Sequence, residues 1–170
     1  MAQVLDASGA PLTDPDAVLA RLGVVLATVP LPEGTAAQAL AGAAAAGDVD
    51  AVTALVDVPD EVLAQVPAVV ATPRGVLVVD PGDPAGAGDR EVFGAWHVND
   101  AHELHLILSG EGSFWFADAD GVAAQVVLGP GDVIGITGTE HRYVAGTAQA
   151  FLVRHSAPAD MTPTPTGRPA

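Results

Sequence analysis

From residue 103 to residue 156 the sequence is a succession of short apolar segments: "ELHLILSG", "GSFWFADADG", "VAAQVVLGPGD", "VIGITG", "HRYVAG" and "AQAFLVRHS". Each is bounded by glycine, aspartate or proline, the residues that punctuate strands. Six strands spaced 8–12 residues apart, with no helix between them, restrict the fold to a sandwich or small barrel. "DADG" at 118–121 is a hairpin turn that sets its two flanking strands antiparallel. Upstream, "AVVATPRGVLVVDPG" reads as strands cut by a turn at Pro73–Arg74–Gly75, and "PGDPAGAGD" at 81–89 reads as a loop.

The first half has a different character. It is alanine-rich and reads as mostly helical. In "TDPDAVLARLG", Asp14 caps a helix, Pro15 takes its first position and Gly23 stops it, with Val18, Leu19 and Leu22 on one face. "GTAAQALAGAAAAGDVDAVTALV" gives one or two further helices broken near Gly47–Asp48, and "PDEVLAQVP" a short one. The tail "MTPTPTGRPA" is rich in proline and threonine and reads as disordered. At 170 residues the chain suits one compact domain. The expected division is a helical segment over 1–67 packed on the barrel, the barrel over 68–157 and a flexible tail over 158–170.

Composition excludes several chemistries. The chain has no cysteine and all six basic residues are arginine, so thiol catalysis, disulfides and lysine Schiff bases are absent. None of its four serines lies in a G-x-S-x-G elbow, and "GEGSFW" lacks the third glycine of a dinucleotide fingerprint. A formal charge of −15 repels phosphate backbones and anionic membranes. No apolar run reaches the roughly 18 residues of a membrane span. The N-terminus lacks the basic start and apolar stretch of a secretory signal, so a cytoplasmic location is the expectation. An enzyme with this inventory must work through histidine, carboxylate or a metal.

Those residues crowd into "WHVNDAHELH" at 96–105, which holds three of the five histidines. Taking "HELHLILSG" as extended, Glu103, His105 and Ile107 share one face and His102, Leu104 and Leu106 the other. His141 follows the glycine-rich "GDVIGITGTE" at the start of another strand. If the two segments meet, His97, Glu103 and His141 form a two-histidine, one-carboxylate set of the kind that binds non-haem Fe(II) and leaves positions open for oxygen and substrate. The bland alternative is unrelated structural histidines and a glutamate paired with Arg142 or Arg154. An unpaired charge in an apolar strand would be costly, which favours the metal reading.

"HVNDAHELHLILSGEG" followed by "GPGDVIGITGTEH" resembles the two sequence motifs of the cupin superfamily. His97, Glu103 and Gly110 match the first motif, and Gly131, Asp132 and His141 the second. Within the cupins the chain is most similar to the acireductone dioxygenase family of methionine salvage. That resemblance implies an all-β jelly-roll barrel with a helical N-terminal segment. It also implies a bound metal, Fe(II) or else Ni(II) or another divalent ion, and O2-dependent oxidative cleavage of a small enediol substrate. The expected metal ligands are His97, Asn99, Glu103 and His141. His105 is the expected catalytic and substrate-contacting residue, and Phe93, Trp96 and Phe116 the expected pocket walls. The chain departs from the family at Asn99, where the second motif histidine would stand, and at His105, where the family has arginine. Trp96 replaces the usual glutamate, and the turn at Thr137–Gly138 is one residue shorter. Two other functions stay open: a non-oxidative isomerase, cyclase or lyase, and a non-catalytic small-ligand-binding cupin. The expected partners are a small-molecule substrate and O2, with the chain a monomer or small homo-oligomer.

Overall fold

The computed structural model describes residues 1–69, 73, 75–156 and 162–169, without the side chains of residues 89 and 90. Two antiparallel sheets face each other, with helices over the outer face of one. In chain order the elements are β1 (Gln3–Leu5), α1 (Pro15–Leu22), β2 (Val24–Thr28), α2 (Gly34–Ala46), α3 (Val49–Thr53), α4 (Asp60–Leu63) and β3 (Gly75–Val79). After a single 3-10 turn at Pro84–Gly86 come α5 (Ala87–Gly94), β4 (His97–Asn99), β5 (Glu103–Ser109), β6 (Gly112–Asp118) and β7 (Gly121–Leu128). The chain closes with β8 (Asp132–Ile136), β9 (His141–Ala145), β10 (Gln149–His155) and β11 (Pro163–Pro165).

One sheet runs β1-β7-β6-β9-β4-β11 and the other β2-β8-β5-β10-β3. Among the described residues the strands form two separate sheets rather than one hydrogen-bonded ring. Period-two alternation explains the layering. On β5, Ile107 joins Phe114, Phe116, Val126, Ile134, Phe151 and others in the core between the sheets. Leu104, Leu106 and Leu108 point the other way, into a second core with Leu40 and Ala44 of α2, Val52 of α3 and Val62 of α4. The alanine-rich helices are therefore a cover for one sheet, and their small side chains let them lie close to it.

All six strands expected between 103 and 156 are present, and "DADG" turns β6 into β7 with Asp118 opposite Gly121. The first helix has its expected ends: Asp14 accepts a hydrogen bond from Ala17 N, Pro15 opens the helix, and Gly23 closes it at φ +66°. The break at Gly47–Asp48 separates α2 from α3, with Asp48 capping the latter through Ala51 N.

Four elements differ from the expectation. Residues 1–67 are not all helical, because β1 pairs with β7 and β2 with β8, so both sheets reach into the N-terminal segment. The "loop" at 81–89 runs into α5, whose start at Ala87 is hidden by glycine and alanine of low strand and loop contrast. Part of the expected flexible tail is β11, which pairs with all three residues of β4. Its prolines lack N–H groups, which an edge strand tolerates. Of the strand-and-turn segment at 68–75, residues 70–72 and 74 lie outside the described residues, as do 157–161 and 170 of the tail.

Gly110 and Gly131, both motif glycines, are required by close approach. Gly110 has φ +74°, and a Cβ there would lie 2.0 Å from Ala148 O; at Gly131, φ +86°, it would lie 2.7 Å from Val29 O.

Candidate metal centre

The site lies between the sheets at the β4–β9 edge, where His97 stands directly opposite His141. On β4, His97 and Asn99 are two residues apart and share a face; on β5, Glu103 and His105 do the same. The His97 and His141 rings meet edge to face with centroids 4.5 Å apart. Both histidines are 2–3% exposed and Glu103 3%, so the group is shut away from bulk water.

Each of the two histidines is held the same way. His97 Nδ1 is 2.8 Å from Ala95 O, and His141 Nδ1 is 2.8 Å from Thr139 O. A carbonyl only accepts, so Nδ1 carries the proton in both rings and Nε2 is the atom offered to the site. The turn that supplies Thr139 is itself anchored: Thr137 Oγ1 donates to Gly23 O at 2.8 Å and Thr139 Oγ1 donates to Leu22 O, both at the end of α1.

Glu103 is the hub. Its Oε1 accepts from Asn99 Nδ2 at 2.7 Å and lies 3.1 Å from His141 Nε2, and its Oε2 lies 2.8 Å from His105 Nε2. Burial alone would raise the carboxyl pKa, but His141 and His105 together hold it well below the usual range. Burial likewise opposes a charge on His141, yet the Glu103 carboxylate and the Thr139 carbonyl hold its pKa above the ordinary value. His97 goes the other way: burial and the neighbouring His141 depress it. The Glu103 carboxylate and the His141 imidazole thus favour each other's charged forms.

Among the described residues, no arginine pairs with Glu103. Arg154 pairs with Asp57 on the helical side, and Arg142 lies over the rings of Trp96 and Trp115, 5.1 and 5.3 Å from their centroids.

Within this group, Asn99 Oδ1 and His105 Nδ1 are buried with no hydrogen-bond partner among the described residues. An unmet buried polar atom costs about 1–3 kcal/mol. Both atoms belong to residues that line one cavity of about 80 Å³, together with His97, Glu103 and His141. Its remaining wall is apolar: Leu77 and Val79 of β3, Phe93 of α5, Phe114 of β6, Tyr143 of β9, and Phe151 and Val153 of β10.

The donor set fits a small divalent ion. Two Nε2 atoms with backbone-fixed Nδ1–H groups, a carboxylate, and an amide oxygen lacking a donor are what such a cation takes up. Among the described residues, no three histidine, aspartate or glutamate side chains already stand at ligand spacing. Glu103 is instead turned onto Asn99, His105 and His141 by its polar contacts.

Of the expected pocket walls, Phe93 lines the cavity, and Trp96 and Phe116 do not. Trp96 directly precedes His97 and so points to the opposite face, beneath Arg142 and Arg168. Phe116 faces inward but is fully buried, deeper in the core than Phe114. Phe114, Tyr143 and Phe151 were not anticipated. Alternation gives the first two, since Phe114 shares a face with Phe116 and Tyr143 with His141. Phe151 stands opposite Ile107, on the Glu103 face of β5. His102, just before β5, does not line the cavity, and its backbone N–H donates to Ser156 Oγ. His155, the fifth histidine, stands opposite Glu103 in the β10–β5 register.

Comparison with known proteins agrees with this architecture. The family model for the AraC-like ligand binding domain matches residues 85–159. No curated protein gives a significant sequence match. Among solved structures, acireductone dioxygenase from Bacillus anthracis, with a cadmium ion in its active centre, superposes with a TM-score of 0.62. That likeness covers 96% of this chain and 98% of the other at 19% sequence identity. With two facing antiparallel sheets, the motif histidines and glutamate on their inner surfaces, and this structural likeness over nearly its whole length, the chain has the cupin fold.

Proposed function

We propose that the chain is a metal-dependent cupin enzyme that oxidatively cleaves a small enediol of the acireductone type. The observation that carries this reading is the facing pair of histidines, each with Nδ1 tied to the carbonyl two residues upstream, with His141 Nε2 3.1 Å from Glu103 Oε1. A purely structural pair would not need both rings fixed in one tautomer around a buried carboxylate. The cadmium ion in the active centre of the Bacillus anthracis neighbour supports a divalent metal here. Fe(II) suits the two-imidazole, one-carboxylate set, and Ni(II) or another divalent ion remains compatible with it.

His97, Glu103 and His141 would hold the metal, with Asn99 Oδ1 as a weak neutral fourth donor. Bound there, the ion would supply Lewis acidity and gather two substrate oxygens. His105 is the base: with Nε2–H donating to Glu103, its unpartnered Nδ1 takes the proton of a substrate hydroxyl. Its ring is kept in place between Phe114 and Phe151, with centroids 5.7 and 5.8 Å away. The apolar wall excludes water, which strengthens each polar contact inside, and accommodates the substrate's carbon chain.

Oxygen uptake tests the proposal. With Fe(II) restored anaerobically, a synthetic acireductone should be consumed only on admitting O2, in equal molar amount. Equal turnover without O2 would replace oxidative cleavage by an isomerase, cyclase or lyase reaction. A second reading, a non-catalytic small-ligand-binding cupin, is favoured by the match to a ligand-binding family model. It requires stabilisation by ligand with no product under either condition.

A further inference from the structure

The C-terminal residues 162–168 are strapped across the two strands that carry the site histidines. β4 pairs with β9 at a single register position, His97 opposite His141, but with β11 at all three of its residues. Asp100 N donates to Thr162 O, Thr162 N donates to the Asp100 carboxylate at 2.9 Å, and Thr166 N donates to Trp96 O at 3.0 Å. Thr166 Oγ1 also donates to Glu140 Oε1.

Arg168 ends this strap. Its Nε and Nη2 donate to Glu140 Oε2 at 3.0 and 2.7 Å, and Nη2 also donates to Asp118 O at 3.0 Å. The same guanidinium lies over the Trp96 ring, 5.5 Å from its centroid. Trp96 immediately precedes His97, and Glu140 immediately precedes His141. One side chain thus touches the chain neighbour of each histidine, from the side of the sheet opposite the cavity. Glu140 also sits between Thr139, whose carbonyl fixes the His141 tautomer, and His141 itself.

We infer that Arg168 is a positioning residue. By bridging Trp96 and Glu140 it holds His97 and His141 opposite each other and so raises the affinity of the site for a divalent cation. The part of this statement concerning the cation rests on the metal reading above; the part concerning the histidine pair does not. Arginine suits the task because its planar fork can meet a carboxylate, a carbonyl and an aromatic face at once, whereas a lysine ammonium is a point charge. The Arg168 and Glu140 side chains are 27% and 17% exposed. Water partly screens a pair so placed, and thermal unfolding of the same variants tells positioning from folding.

The test compares the wild type with Arg168→Ala and Arg168→Lys. Imidazole 15N–1H spectra of the metal-free protein report the tautomers, Ni(II) calorimetry the affinity, and thermal unfolding the global fold. In the wild type, His97 and His141 should each show one Nδ1-protonated form. In R168A those two signals should broaden or shift while those of His102 and His155 stay, with Tm nearly unchanged. Ni(II) affinity should weaken roughly tenfold, the scale on which supporting contacts act at metal sites, and R168K should recover part of both effects. Unchanged His97 and His141 signals in R168A would overturn the inference. If the wild type takes up no Ni(II) while R168A still disturbs the two imidazoles, the positioning role stands and the metal reading falls. Should R168A fail to fold, Arg168→Met, which keeps the aliphatic stem, is measured by the same criteria.

Discussion

Asn99 is the position at which the site can be both weakened and completed, and its replacement by histidine separates the two effects. In the metal-free protein Asn99 Nδ2 donates to a Glu103 carboxylate that is 3% exposed, at 2.7 Å. A hydrogen bond to a charged partner is worth about 1.5–3 kcal/mol. Asn99→His puts a ring where the amide was, so part of that bond is lost and the metal-free protein should be less stable by on the order of 1–2 kcal/mol. For a chain of this length that lowers Tm by roughly 2–8 °C. The metal-bound protein should respond in the opposite sense. A third imidazole takes the place of an amide oxygen that is a weak donor, and Ni(II), which favours nitrogen ligands, should bind at least about tenfold more tightly, or about 1.4 kcal/mol. Differential scanning calorimetry with and without Ni(II), together with isothermal titration, reads both quantities. A lower metal-free Tm accompanied by an unchanged Ni(II) Kd would refute the placement of Asn99 in the ligand set. No change in either would refute its contact with Glu103.

Three further outcomes follow from the geometry. Gly110→Ala would bring a Cβ to 2.0 Å from Ala148 O at a positive φ, so the turn between β5 and β6 must move, and chemical denaturation should show a loss of about 2 kcal/mol or more. Glu140 is held below its ordinary pKa of 4.5, chiefly by the hydrogen bond from Arg168. Its contribution is present above pH 4.5 and is lost as pH falls through the lower folded value. Protection factors at the β4–β11 amides, corrected for the intrinsic pH dependence of exchange, should therefore fall in acid, and Glu140→Gln should remove that fall. The net charge of −15 makes the folded chain repel itself, so raising salt from about 10 to 150 mM, which shortens the screening length from roughly 30 to 8 Å, should raise Tm; a fall in Tm would contradict this.

What the sequence made legible was whatever depends on local periodicity. The strands from Glu103 to His155 could be bounded because glycine, aspartate and proline interrupt apolar runs at regular spacing. Alternation within "HELHLILSG" put Glu103 and His105 together and set His102 aside. The same rule, applied one residue earlier, separates Trp96 from His97, and applied to "HRYVA" it places Tyr143 beside His141. Phe116 marks where the rule stops: it fixes the face of a strand but not the depth at which a side chain lies between two sheets. The remaining misses are long-range. β1, β2 and β11 are short, and each is a strand only because a distant partner offers an open edge: β7, β8 and β4 respectively. "PTP" carries no strand signal of its own, and it is the β4 edge next to His97 that makes it one.

In the proposed function His97, Glu103 and His141 together hold a divalent metal. The most direct measurement is anaerobic titration of metal-free protein with Fe(II), followed by desalting and metal analysis, in parallel with His97→Ala and His141→Ala. The expected result is one equivalent retained per chain by the wild type and near none by either variant. Equal retention in all three proteins, or none in the wild type with Fe(II) or Ni(II), would contradict it.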